Sequence, residues 1–342
     1  MDRAVRATAL NLSGLTVLTE AATGAYATTA VVAAMAGAAR VYAFAKPSRH
    51  GSVVEAEAEV LRLAACADVA PRVTVVQAIE VDLLRRVDIV TNSGHLRPLN
   101  AWLLNGLPGR AVVALMFEAW ETRPGDIDLD VCRRRNIPVV GVNERHPTVD
   151  VFSFLGPLCV RQLHDCGIAV YGSRLALLCD NDFAAWIRRG LQAMGASVEL
   201  FARSADVLPE AWDAIVVAMR PLAAPDAKFE IEAADVRHLA AVSPPGIAVV
   251  QFWGDVDRGA LKAHGLSPWP PDPPSRGHMG ILLSAIGPEP VVRLQAGGLR
   301  AAELVFRGEL PGQDGIAQLL TGAPPRSPAT TPPGSYGNGS EA

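Results

Sequence analysis

Short apolar runs alternate with stretches of helical spacing along most of this chain, and that alternation leaves few folds open. Leu15–Thr19, Arg40–Ala45, Val73–Val76, Asp88–Thr91, Ala111–Met116 and Pro138–Val142 read as short buried strands. Tyr26–Ala36, Ser52–Ala65 and Asp128–Arg135 have helical periodicity. Phe152–Cys166 reads as a longer helix, and after it the pattern restarts. Leu175–Leu178, Val198–Phe201, Ala214–Ala218 and Ile247–Gln251 are strands, and Asp182–Met194 is an amphipathic helix. Such alternation predicts parallel sheets with helices on both faces. Strands covered on both faces are continuously apolar, as these are.

At ~150 residues per domain, 342 residues suggest about two domains. The expected division is an α/β unit over 1–150, a crossover helix over 151–167 and a second α/β unit over 168–298. A C-terminal helix over 299–320 returns to the first unit. Residues 321–342, rich in Pro, Ser, Gly and Thr, read as a disordered tail. Pro268–Pro274 reads as a Pro-rich loop.

Hydrophobic residues make up 50% of the chain, enough for a sizeable core. The net charge of -4 argues against a nucleic-acid surface. No apolar stretch reaches the ~18 residues of a membrane span, and the N-terminus lacks the apolar core of a signal peptide. The five cysteines, Cys66, Cys132, Cys159, Cys166 and Cys179, form no C-x-x-C pair. They read as small core residues in a reducing compartment, so the expected location is cytoplasmic. No H-E-x-x-H, zinc-spaced Cys/His cluster, G-x-S-x-G elbow or phosphate-binding G-x-x-x-x-G-K-[ST] loop is present, and no metal is expected.

The stretch Gly125-Asp-Ile-Asp-Leu-Asp-Val-Cys-Arg-Arg-Arg-Asn-Ile-Pro-Val-Val-Gly-Val-Asn143 resembles the N-I-D-L-x-x-x-x-x-R-G-I-P-V-x-N segment of the D-isomer-specific 2-hydroxyacid dehydrogenases. Other pieces fall in the matching order. Asp88–Leu99 resembles the substrate-touching strand and loop, Leu175–Phe201 the first βαβ of the cofactor domain, and Ala302–Glu309 the closing helix. The resemblance implies two Rossmann-like, doubly wound parallel-sheet domains with an interdomain cleft. It also implies NAD or NADP as cofactor and a small-molecule substrate.

Two departures stand out. Where the family's glycine fingerprint would follow Leu178, this chain has Cys179-Asp180-Asn181-Asp182-Phe183. Asp180, Asn181, Asp182 and Phe183 are the counterparts at the cofactor turn, and Asp182 is equally an N-cap for the next helix. Where the family's catalytic Arg would follow Gln251, this chain has Phe252-Trp253-Gly254-Asp255. Arg203 and Ser204, after the next strand, suit either a 2′-phosphate or plain solvent. Pro221 resembles the proline beside the cofactor. His278, in Arg276-Gly-His-Met-Gly280, is the counterpart of the family's catalytic His, a general acid for a carbonyl oxygen or else a surface residue.

A further strand–Gly–helix turn, Thr23-Gly24-Ala25-Tyr26, and the basic loop Lys46–His50 form a weak phosphate signature, or an ordinary helix start and a solvated loop. Ligands of parallel sheets bind beyond the carboxyl ends of strands. There lie Asn92, Ser93, Gly94 and His95, then Glu118 and Trp120, then Glu144 and His146. Asn92, Ser93, Gly94, Trp120 and Glu144 are candidates for substrate contact. His95 and His146 are alternative acid–base groups, with Glu118 or Glu144 to orient them. The expected function is a cytoplasmic, biosynthetic NAD(P)-dependent oxidoreductase passing hydride to or from a small carbonyl or hydroxy-acid-like substrate. The alternatives are a diverged Rossmann-type binding protein, a nucleotide-donor transferase, and a non-redox lyase or hydrolase. No nucleic-acid or membrane partner is expected, and a homodimer is compatible with the resemblance.

Overall fold

A computed structural model describes residues 1–48, 50–123, 125–221, 229–309 and 315–321. The expected tail from 322 onward and Arg49 of the basic loop lie outside them. In the first part of the chain the elements are α1 (Asp2–Ala7), β1 (Thr16–Glu20), α2 (Thr28–Met35), β2 (Arg40–Phe44), α3 (Val53–Cys66), β3 (Val73–Val76), α4 (Val81–Leu84), β4 (Ile89–Thr91), α5 (Ala101–Gly106), β5 (Val112–Ala114), α6 (Leu129–Arg135) and β6 (Val139–Val142). Helix α7 (Leu155–Asp165) leads on to β7 (Arg174–Leu178), α8 (Phe183–Ala193), β8 (Ser197–Phe201), β9 (Ala214–Ala218), α9 (Ala233–Val242), β10 (Ala248–Trp253), α10 (Arg258–Ala263) and β11 (Ser267–Trp269). Helix α11 (Glu289–Phe306) and β12 (Ala317–Thr321) close the chain.

The strands form two sheets, ordered β12-β6-β5-β4-β1-β2-β3 and β11-β10-β9-β7-β8. All pairs are parallel except β12 on β6. The expected α/β class with two parallel sheets is therefore what the chain adopts. Each sheet is covered on both faces. On the first, Val17, Ile89, Val112 and Val140 pack under α2 and α11, while Leu18, Val90, Val113 and Val139 pack under α5 and α6. On the second, Leu175, Leu177 and Val216 meet α7 and α8, and Ile215, Val217 and Val249 meet α9 and α10.

The C-terminal segment differs from expectation. Helix α11 starts at Glu289, ten residues before the expected 299, and the segment expected to be helical to 320 holds strand β12, which includes Thr321 of the expected tail. Pro288 and Pro290 look like breakers in sequence, but Pro is well tolerated in the first turn. Gly297 and Gly298 look like interruptions, yet they let α11 lie close on the sheet. A Cβ on Gly297 would stand 2.7 Å from Val149 Cγ2, and one on Gly298 2.8 Å from Met116 Sδ. Part of the Pro-rich stretch, Pro268 and Trp269, belongs to the edge strand β11, where Pro costs no ladder bond. Among the described residues no helix is long and apolar enough to cross a membrane.

Candidate active site

The carboxyl ends of β1, β4, β5 and β6 face those of β7, β9 and β10. Among the described residues, Arg145 meets Asp182, Arg123 meets His278, and the Trp120 ring meets Trp253 and Arg220 across them.

After β4 the chain folds over its own arginine. The Asn92 carbonyl accepts Arg97 Nε at 3.1 Å and Nη2 at 2.9 Å. Asn92 is fully buried, and its Nδ2 has no protein partner. Ser93 Oγ closes a buried hydroxyl chain, 2.7 Å from Thr91 Oγ1, which in turn donates to Thr19 Oγ1 at 2.8 Å. Gly94 opens a short 3-10 turn held by Glu20, whose Oε2 accepts the His95 N–H at 3.1 Å. Burial pushes the Glu20 carboxyl up against that hydrogen bond. Tyr26 stands beside these groups, its phenol also pushed up by burial and by Glu20.

Glu118 is the hub of the next two loops. It is fully buried and accepts from Trp120 Nε1, from Arg145 Nη2 at 3.2 Å and from the Glu144 N–H at 3.2 Å. Those bonds give it a role other than the expected one of orienting a histidine. It ties the β5 and β6 loops together. Glu121 and Glu144 crowd the same place. Burial, then repulsion from Glu118, pushes Glu121 up to about 7. Burial, then Glu121 and Glu118, holds Glu144 well above the usual range. A carboxyl raised in the folded state stabilises fully below its unfolded value near 4.5 and loses that contribution as pH rises through 7. Glu121→Gln is therefore expected to leave stability at pH 4 nearly unchanged and to raise it at pH 8 by about 1–2 kcal/mol, read from urea unfolding. A variant equally neutral at both values would refute this.

His146 turns into its own loop, with Nδ1 2.8 Å from Thr148 Oγ1. His278 does reach the cleft. Its Nδ1 lies 3.0 Å from the Arg276 carbonyl, which can only accept, so Nδ1 carries the hydrogen. Its Nε2 is then a lone pair, and it receives Arg123 Nη1 at 2.7 Å. Partial burial, then Arg123 and Arg97, hold this imidazole below its usual 6.5. With Nδ1 protonated and Nε2 accepting from Arg123, the ring can take a proton at Nε2 once Arg123 moves away, whereas the expected general-acid role requires Nε2 to be protonated first.

The residues expected at the cofactor turn lie between β7 and α8, and their side chains are bonded within the chain. The Asp182 side chain makes no cap bond and instead meets Arg145. The capping acceptor is Asn181 Oδ1, 3.1 Å from Phe183 N. Asp180 Oδ1 accepts the Arg220 N–H at 2.9 Å. Phe183 is buried under Trp253, ring centroids 4.7 Å apart. Arg203 pairs with Asp206, and the buried Ser204 hydroxyl is bonded to Asp235. Pro221 packs beside Gly277. Sequence reasoning misses Arg97 and Arg123, although both lie on strand-end loops that it singles out.

No family model and no curated protein matches the chain. Among solved structures it is similar to a dipicolinate synthase component from Bacillus halodurans, at 14% identity and TM-score 0.55, over 84% of this chain and 96% of that one. It is similar to the corresponding dipicolinate synthase polypeptide from Bacillus subtilis, at 13% and 0.55, over 88% and 100%. A NAD-dependent formate dehydrogenase from Staphylococcus aureus matches at 12% and 0.48, over 88% and 98%. The two dipicolinate synthase structures share the two-sheet α/β fold of this chain. At these identities the likeness is one of backbone.

Proposed function

We propose that the cleft binds a small carboxylated substrate through Arg97 and Arg123 and moves a proton at His278 Nε2. The observation that carries this reading is the contact of Arg123 with His278 across the two units. A substrate carboxylate takes Arg123 in a charge-assisted pair and draws it off the imidazole. The freed Nε2 lone pair accepts a proton from the substrate, and the Arg276 carbonyl keeps the ring in the required tautomer. Two of the similar structures are named for dipicolinate, a dicarboxylate, which suits a pair of arginines.

A second reading is the expected NAD(P)-dependent oxidoreductase, in which a nicotinamide would supply or accept hydride. The parallel second sheet, with its order reversing between β7 and β9, supports it. The residues at the turn after β7 do not fit a dinucleotide, because their N–H groups and carboxylates are engaged within the chain.

The test uses pyridine-2,6-dicarboxylate as a probe. It is expected to bind saturably, and Arg97→Gln and Arg123→Gln each to weaken it about 10–100-fold, the cost of one charge-assisted bond. Unchanged binding in both variants would overturn the reading. Nitrogen NMR of the His278 ring supplies an independent check. Its midpoint should lie below 6.5 and rise in Arg123→Ala, because a neighbouring cation has gone.

A further inference from the structure

In an open parallel sheet the ligand crevice lies at the carboxyl ends of the two strands between which the order reverses. In the second sheet those strands are β7 and β9. A dinucleotide lays its pyrophosphate there, on free N–H groups at the start of the helix after the first strand.

Here the crevice is bridged by the chain itself. Asn181 Nδ2 donates across it to the Ala218 carbonyl at 2.8 Å, and the Arg220 N–H donates back to Asp180 Oδ1 at 2.9 Å. The first N–H groups of α8 are also committed. Phe183 N donates to Asn181 Oδ1 at 3.1 Å and Ala184 N to the Asn181 carbonyl at 3.2 Å. Trp253, at the end of β10, stacks on Phe183 over the same ground, with its plane tilted by 22°. Asp180 and Asp182 bring carboxylates to a place that must accept two phosphate charges, and Arg145 balances Asp182 from the opposite unit. At the end of β8, where a ribose would lie, Arg203 and Ser204 are paired internally.

We infer that the switch-point crevice of the second sheet is closed to a dinucleotide by Asn181, Asp180 and the Trp253–Phe183 stack, and serves as the surface that clamps the two units. This stands apart from the proton-transfer reading. Carboxylate binding at Arg97 and Arg123 is measured with a different probe, and either result can fail alone.

The experiment titrates the intact protein with NADH and NADPH, following nicotinamide fluorescence, and maps amide hydrogen exchange with and without each. Near-UV circular dichroism verifies that the sample is folded. No saturable binding tighter than about 1 mM is expected, and no added protection over residues 179–184. Binding that protects those amides would overturn the inference and favour the oxidoreductase reading. Binding that protects other segments and leaves 179–184 unchanged would uphold it, placing the nucleotide elsewhere.

Discussion

Glu118→Leu is expected to lower the free energy of unfolding by about 2–4 kcal/mol, the cost of leaving two donors without their acceptor. Glu118 is fully buried, and three donors depend on it. Leucine fills much of the volume but leaves Trp120 Nε1 and the Glu144 N–H without their acceptor, while Arg145 retains Asp182. Each orphaned donor costs about 1–3 kcal/mol. A partial offset comes from Glu121 and Glu144, which no longer face the Glu118 charge. Urea unfolding checks the prediction, and Glu118→Gln, which keeps an acceptor, should lose less. A loss below about 1 kcal/mol for the leucine variant would mean that the hub is not structural.

Gly280→Ala should be nearly as damaging, for a steric reason. A Cβ at this position would stand 1.9 Å from the Gln251 carbonyl oxygen and 2.9 Å from Gln162 Nε2. Main-chain atoms of β10 cannot yield that far, so residues 275–281 must lift away. The Gly280 N–H then loses the Phe252 carbonyl, now 2.8 Å away. Overpacking of this sort costs about 1–3 kcal/mol. The larger effect falls on His278, two residues upstream, which leaves Arg123. Its NMR midpoint should move up toward 6.5, and wild-type behaviour of both stability and titration would refute the argument.

The frame of the fold is legible in the sequence because buried parallel strands announce themselves. Ala214–Ala218 is legible to the residue, and all of it is buried. Helix α3 is well marked because Ser52 and Glu55 form a capping box at its start. Short helices such as α4 and α5 escape notice, since a single turn carries too few apolar positions to show a period. Strand β12 is hidden by its neighbours in sequence, because an antiparallel edge strand draws its partner from 175 residues away. At the site, the loops are legible and the roles are not. Sequence supplies His278 but not Arg123, its partner 155 residues distant. It offers Glu118 as a histidine's companion, whereas burial makes it a support for two loops.

Helix α11 also governs the order in which a chain leaving the ribosome can complete itself. The face of the first sheet that holds Val17, Ile89 and Val140 is completed by Ala296, Leu299, Ala301 and Ala302, all fully buried. Those residues are made after every strand of the second sheet. The nascent N-terminal half therefore emerges with the part of that face under α11 uncovered and α2 in place, whereas the second sheet's strands and covering helices are contiguous in the chain. The portion translated earliest is the portion completed last.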